Sequence, residues 1–522
     1  MTRLPNEVAG MFRMMRGSAM AGLCMSLAVA TLGNAQEPFP GLDAYIAKAR
    51  ADWKIPGLAV AIVRNDSVLW AKGYGVKNVR GTDPVDDKTL FEIGSSSKSF
   101  TATIVAMLVA DGKMRWDDRL TNYLPSFQLY DPDANAHVTV RDALTHRAGL
   151  ARAELSWMYA GVDRDELLRR MRFLKPAYDF RTRWLYQNVM FLAAGQAAGK
   201  AAGSTWEQLI QQRIFDALGM TVSKPLAPRK YEGLTNVATP HAIRRDTAYT
   251  LAPMYMGNIA PAGSILSSAR DMAQWLRFQL GDGVFNGKRL VSSAALRQTH
   301  TPQILIGGSA EGDTTSRFTT YGMGWVIQDY KRQLLWQHGG GTDGMTTAMG
   351  MLPDHKFGVV VLSNVYGGQL PDLLMRYIFD RQLGAPARDL SAEALTRRDV
   401  QRRRADSVER AQNAQRVVGV PPLPVTAYVG AYADSLYGEA TVSLADGKLE
   451  MQRGDFTAPR EYWNANNFRW GPLPSAAVSS LFVKFDVAPD GRVTTLSFGL
   501  GPDTAHMGRK PTRPATATRT GQ

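Results

Sequence analysis

The sequence predicts an α/β (α+β) sandwich, an antiparallel sheet flanked by helices with an all-helical region beside it, followed by a small all-β domain. Three patterns carry this expectation: a helical stripe leading into a hairpin near residue 42, a helix apolar on every face near residue 100, and strand-like runs that return after residue 334 and again after 426. At 522 residues the chain is too long for one ordinary domain, and 45% hydrophobic residues suffice for a sizeable core.

In chain order, apolar residues at Leu42, Tyr45, Ile46, Ala49 and Trp53 form the helical stripe. Leu58–Val63 and Val68–Tyr74, separated by Arg64-Asn65-Asp66, form the hairpin. Phe100–Ala110 has no polar face, which places that helix in the protein interior, and Asp111-Gly112 ends it. Helices continue to about residue 280. Leu334–Gln337, Thr347–Leu352 and Phe357–Leu362 read as strands, the last two joined by a turn at Pro353-Asp354. Strands at both ends with helices between them give the sandwich. The domain boundaries that follow are 36–385 for the sandwich, 386–425 for a charged helical linker ending at Val420-Pro421-Pro422-Leu423-Pro424, 426–507 for the small β domain and 508–522 for a disordered tail.

Residues 1–35 read as a secretory signal peptide: Arg3, Arg13 and Arg16 precede the apolar stretch Ala19–Leu32, and small residues follow at Gly33 and Ala35. The apolar stretch is shorter than the roughly 20 residues that span a bilayer, so cleavage and export to the periplasm or medium are expected rather than anchoring. The one cysteine, Cys24, lies in this segment, which leaves the exported chain with neither a disulfide nor a thiol nucleophile. The net charge of +14 raises the question of nucleic acid. The densest basic stretch, Arg397–Arg404, is interleaved with Asp399 and followed by Asp406 and Glu409, the pattern of a solvated helix face. No nucleic-acid partner is expected, and only weak contact with anionic cell-envelope polymers.

Three short motifs carry possible chemistry. In Ser95-Ser96-Ser97-Lys98 the i, i+3 spacing brings the Lys98 amine beside the Ser95 hydroxyl, at the N-terminus of the apolar helix. Free N–H groups there stabilise a developing oxyanion. A serine hydroxyl needs a base, and lysine serves only if its pKa falls from about 10.4 towards 7–8, which burial and a nearby cation supply. Tyr186-Gln187-Asn188 offers a proton relay and an amide that can fix Lys98 or hold a substrate amide. His338-Gly339-Gly340-Gly341 follows the apolar strand Leu334–Trp336, and a strand-edge N–H there can reach the same oxyanion as Ser95. Read singly, none is specific: a core tyrosine and a structural histidine are the commoner readings of Tyr186 and His338, while the buried helix behind Ser95 argues against a plain Ser N-cap with a solvated lysine.

Together, in this order, they resemble the serine β-lactamase and penicillin-binding-protein superfamily, in its class C β-lactamase-like branch of esterases, D-aminopeptidases and carboxypeptidases. The likeness extends to Phe91-Glu92-Ile93-Gly94, to Val140–His146 with Gly149-Leu150, to Leu218-Gly219-Met220, to Pro261-Ala262-Gly263 and to Tyr321–Trp325. The C-terminal part, around Tyr428, Gly430, Tyr432, Tyr437 and Gly438, resembles a small β domain appended to such hydrolases. The resemblance implies that Ser95 is acylated, Lys98 activates it, and Tyr186 acts as general base and then as acid to the leaving group. It also implies that Asn188, His338 and Gly340 bind substrate, and that the backbone N–H groups of Ser95 and Gly341 form the oxyanion hole. His338 stands where β-lactamases and carboxypeptidases of this type carry a lysine, which favours esterase or aminopeptidase-like substrates over β-lactams. Met190 stands where a glycine is common, and Asp343 where a proline is common. His146 reads as a packing residue.

No His-Glu-x-x-His, cysteine cluster or Gly-x-Ser-x-Gly is present, so no metal or cofactor is expected, and an α/β-hydrolase elbow is not the basis of activity. The expected partner is a small-molecule ester, amide or peptide substrate. The competing expectations are a D-amino-acid peptidase, carboxypeptidase or weak β-lactamase acting on cell-wall-type peptides, and a non-catalytic envelope-binding protein.

Overall fold

The computed structural model describes residues 37–227, 231–308, 316–386, 388–417, 419–454, 456–473, 480–500 and 503–511. The segment expected to be a signal peptide, residues 1–35, and the part of the expected tail from 512 onward lie outside the described residues.

The main elements are α1 (Leu42–Asp52), β1 (Gly57–Arg64), β2 (Ser67–Gly75), α2 (Ser97–Ala110), α3 (Asn188–Ala202) and α4 (Ala269–Leu280), followed by β3 (Ile304–Gly308), β4 (Phe318–Tyr321), β5 (Val326–Tyr330), β6 (Gln333–Gln337), β7 (Gly340–Thr342), β8 (Met345–Leu352), β9 (Phe357–Ser363), α5 (Leu370–Gln382) and α6 (Leu390–Ala414). The sheet is antiparallel throughout, in the order β2-β1-β9-β8-β6-β5-β4-β3, with β7 paired to β8. The expected hairpin is present, its turn made by Asn65 in the left-handed conformation.

β1 shows why this sheet needs helices on both faces. Successive side chains of a strand point to opposite faces. Ala59, Ala61 and Val63 enter one core, with α2 and α4, while Leu58, Val60 and Ile62 enter the other, with α1 and α5. The strand therefore reads as a continuous apolar run although the sheet is antiparallel. The first core also receives α2, where Phe100 stacks on Trp275 with ring centroids 3.7 Å apart. Strands β3, β4 and β5 were not expected. They are short, and Leu305 and Phe318 on them are exposed, so they offer no clear period-2 signal.

The C-terminal domain is a closed eight-stranded barrel between Gly430 and Arg509; its first strand pairs with its last through Tyr432↔Arg509 and Ala433↔Gly508. Closure removes the exposed strand edges that a short sheet would carry. The final strand runs to Arg509, so the domain boundary at 507 moves outward: Gly508 and Arg509 pair with the first strand and do not belong to the tail.

The expected linker is a docked element at both ends. Trp53 Nε1 donates to Ser391 Oγ at 2.9 Å and Arg402 pairs with Asp246 at 2.8 Å, while beyond the helix Val417 N donates to Trp463 O of the barrel at 2.8 Å. Among the described residues no helix is long and apolar enough to cross a membrane.

Candidate active site

Ser95 lies in the 3-10 turn Gly94–Ser96 that feeds α2, half-buried, with Lys98 one turn on and fully buried. The turn needs glycine on both sides. Gly94 has φ +51° and faces Gly341, and a Cβ at Gly340 would lie 1.8 Å from Ile93 O. Strand β7 thus meets the Ser95 turn backbone to backbone.

Lys98 Nζ lies 3.0 Å from Ser95 Oγ, 2.8 Å from Asn188 Oδ1 and 2.8 Å from the Ala262 carbonyl oxygen. Burial holds the Lys98 pKa well below its ordinary value; the Arg152 charge adds to this and the Glu154 charge opposes it. A neutral amine has two N–H groups and one lone pair. Asn188 Oδ1 and Ala262 O can only accept, so they take the two N–H groups, and the lone pair faces the Ser95 hydroxyl.

Tyr186 shares a hydrogen bond with the Ser95 side chain, and its ring lies 4.6 Å from Lys98 Nζ and 5.1 Å from the Arg152 guanidinium. Burial pushes its hydroxyl pKa up, so it stands as a protonated donor beside Ser95. Asn188 opens α3, which Gln187 caps by accepting from Val189 N. Its amide is engaged on both sides: Oδ1 accepts from Lys98, and Nδ2 donates to Glu154 Oε2 at 3.2 Å. Glu154 in turn pairs with Arg152 at 2.7 Å.

His338 is buried with both ring nitrogens engaged. Nδ1 lies 2.6 Å from Gly339 O, which can only accept, so Nδ1 carries the proton and Nε2 accepts from the Tyr321 hydroxyl at 2.9 Å. Burial brings its pKa down to about 3, which makes it neutral across the physiological range. Its own carbonyl oxygen accepts from Ser96 Oγ at 3.1 Å, tying the strand end to the Ser95 turn. Two residues on, Gly340 is opposite Thr347 in the same register as the pair in which His338 N donates to Met349 O. The next residue, Gly341, therefore turns its N–H to the other side, where the 94–96 turn lies. The leading N–H groups of a helix have no intrahelical acceptor, and the Ser95 and Gly341 backbones lie on the facing turn and strand, which touch at Gly94 and Gly340.

The structure brings Ser95, Lys98, Tyr186, Asn188, His338, Gly340 and Gly341 together. Two partners, Arg152 and Glu154, were not singled out in the sequence, and a second part played by His146 was not foreseen. Arg152 and Glu154 come from a loop without motif or periodicity. His146, read as packing, does pack 4.3 Å from the Tyr186 ring, but its Nδ1 also accepts from Gln187 N at 3.1 Å, fixing the segment that carries Tyr186 and Asn188. Met190 is a fully buried core residue of α3, and Asp343 is buried and accepts from the Tyr159 hydroxyl at 2.8 Å.

The Beta-lactamase family profile matches residues 42–381, and the profile of a domain of unknown function, DUF3471, matches residues 414–510. The chain is 29% identical over 441 residues to Unguisins hydrolase ungD of Aspergillus violaceofuscus, covering 77% of this chain and 76% of that protein. It is 28% identical over 329 residues to Penicillin-binding protein 4 of Amycolatopsis lactamdurans, covering 60% of this chain and 82% of that one. Among solved structures, the octameric penicillin-binding protein homologue from Pyrococcus abyssi shares the fold, with a TM-score of 0.59 at 22% identity over 88% of this chain and 97% of that one.

Proposed function

Because this chain belongs to the Beta-lactamase family of serine hydrolases, we propose that it is an exported hydrolase that forms an acyl-enzyme at Ser95 and hydrolyses an ester or amide. The observation that carries this reading is the buried Lys98 amine, whose two fixed acceptors leave its lone pair to Ser95. Lys98 Nζ takes the Ser95 hydroxyl proton as Oγ bonds to the substrate carbonyl carbon. The carbonyl oxygen, now an oxyanion, accepts from the N–H groups of Ser95 and Gly341. Collapse breaks the bond to the alcohol or amine leaving group, which takes a proton from Lys98 through Tyr186. Water then attacks the acyl carbon as Lys98 takes its proton, the bond from the acyl carbon to Ser95 Oγ breaks, Oγ recovers the proton from Lys98, and the acid product leaves. In this scheme Lys98 is the base and Tyr186 the relay, because a phenol whose pKa is raised holds its proton.

The neutral, doubly engaged His338 supports substrates without an anchored carboxylate, and so an ester or neutral amide ahead of β-lactams or C-terminal peptides. The hydrolase named for unguisins among its relatives fits the same broad chemistry. Export rests on the basic and then apolar segment within residues 1–35 and is checked by N-terminal sequencing of the secreted chain. Wild type and Ser95→Ala, compared for p-nitrophenyl butyrate turnover and covalent labelling by a fluorophosphonate, test the nucleophile. Wild type is expected to do both and Ser95→Ala neither; equal labelling of the two proteins removes Ser95 from the mechanism.

A further inference from the structure

The barrel and the catalytic residues meet through one loop, residues 152–162. On its inner side, Glu154 holds Asn188, which holds Lys98, and Arg152 lies over the Tyr186 ring. On its outer side the barrel grips its backbone. Arg453, the last residue of the strand Lys448–Arg453 and almost fully buried, donates from Nη1 to Met158 O at 2.7 Å and from Nη2 to Leu155 O. Asp503 Oδ2 accepts from Leu155 N at 2.8 Å, and its Oδ1 accepts from the Tyr437 hydroxyl. The Leu155 side chain belongs to the barrel core rather than to the sandwich. Gly454 follows Arg453 with φ +55°, and a Cβ there would lie 2.6 Å from Gly161 N and from Tyr159 O. Phe456 meets Tyr159 with ring centroids 5.7 Å apart, and both border a cleft of about 950 Å³.

A buried arginine spent on loop carbonyls, a carboxylate spent on a loop N–H and a glycine that lets two backbones touch are costly features for a domain that merely follows another. We propose that the barrel is a positioning domain for the active site: through Arg453, Asp503 and Gly454 it clamps the 152–162 loop, so that Glu154 and Asn188 keep Lys98 dry and aimed at Ser95. Arg453 is a positioning residue, acting on the reaction only through that loop. The proposal rests on the Ser95–Lys98 reading for its catalytic consequence and on the loop contacts alone for its structural one.

The test uses the full chain with Arg453→Met, which removes the clamp, and Gly454→Ala, which wedges the loop away while leaving the barrel core intact. Hydrogen exchange of the amides in 152–162 reports the clamp, and the pH dependence of fluorophosphonate labelling reports Lys98. Burial is the main cause of the low Lys98 pKa. Letting water in therefore raises that pKa and moves the rising limb of the rate–pH profile upward by about one unit, a tenfold loss near neutrality that recovers in alkali. Exchange in 152–162 is expected to quicken at least tenfold in both variants, with melting of the sandwich unchanged. Folded variants with wild-type exchange in this loop overturn the proposal, as does a loss of labelling that is uniform across pH. If the wild type does not label at all, the Ser95 reading fails, and the exchange result still decides whether the barrel holds the loop.

Discussion

Lys98 and His338 are two buried nitrogen bases, the first hydrogen-bonded to Ser95 and the second tied through its backbone oxygen to the neighbouring Ser96, and each is kept neutral mainly by burial. Their surroundings differ. Lys98 meets two acceptors that leave its lone pair for Ser95, whereas the two nitrogens of His338 are closed by Gly339 and Tyr321. Burial makes a base available, and the hydrogen-bond partners decide whether it faces the substrate or the scaffold.

The largest expected effect breaks the pair apart. Lys98→Arg and Lys98→Met remove a neutral base and slow Ser95 acylation by about 10³–10⁴-fold, arginine included because it stays charged. His338→Gln, measured in the same labelling assay, costs less than about tenfold, with a stability loss of roughly 1–3 kcal/mol from the stranded Tyr321 hydroxyl.

A third buried group sharpens the contrast on the β7 side. Glu92 donates nothing to the reaction in this account; burial raises its pKa to about 7, with the Asp343 charge adding to the rise. A carboxyl raised in the folded state stabilises while protonated, fully below its unfolded pKa of 4.5, and that contribution is lost as pH rises through about 7. Glu92→Gln is therefore expected to raise stability at pH 8 by up to roughly 3 kcal/mol and to flatten the dependence between those values, read by denaturant unfolding at several pH values. Asn188→Leu, which takes one acceptor from Lys98, slows labelling by about 10–100-fold, equivalent to roughly 1–3 kcal/mol.

The smallest effect lies in the barrel. Arg460 is buried there, and among the described residues Nε, Nη1 and Nη2 have no hydrogen-bond partner; the guanidinium rests on the Phe485 ring 5.1 Å away. Unlike Lys98 it does no chemistry when buried, and Arg460→Met is expected to raise the melting temperature, by an amount corresponding to about 1–2 kcal/mol.

Much of this was legible in the sequence. The stripe 42–53, the apolar run 58–63 and the faceless helix 100–110 fixed their elements because local periodicity and burial agree there. Ser95 and Lys98 stood out because their spacing is a property of one helix turn. Arg152, Glu154 and the Ala262 carbonyl did not, because they reach Lys98 from distant segments and a carbonyl has no residue type to mark it. Tyr321 lay within a family-like stretch, yet its pairing with His338 depends on register across the sheet. Strand-like runs after residue 426 were visible, but the closure of the barrel through Tyr432↔Arg509 and its grip on the 152–162 loop through Arg453 are long-range facts that no local pattern marks.

The most direct test is the pH dependence of fluorophosphonate labelling of Ser95 in wild type, Lys98→Arg and His338→Gln. The wild-type rate is expected to rise with pH and level off well below the ordinary lysine range, a limb abolished by Lys98→Arg and kept in place by His338→Gln. A limb near pH 10, or one that moves with His338 and survives without Lys98, contradicts that expectation.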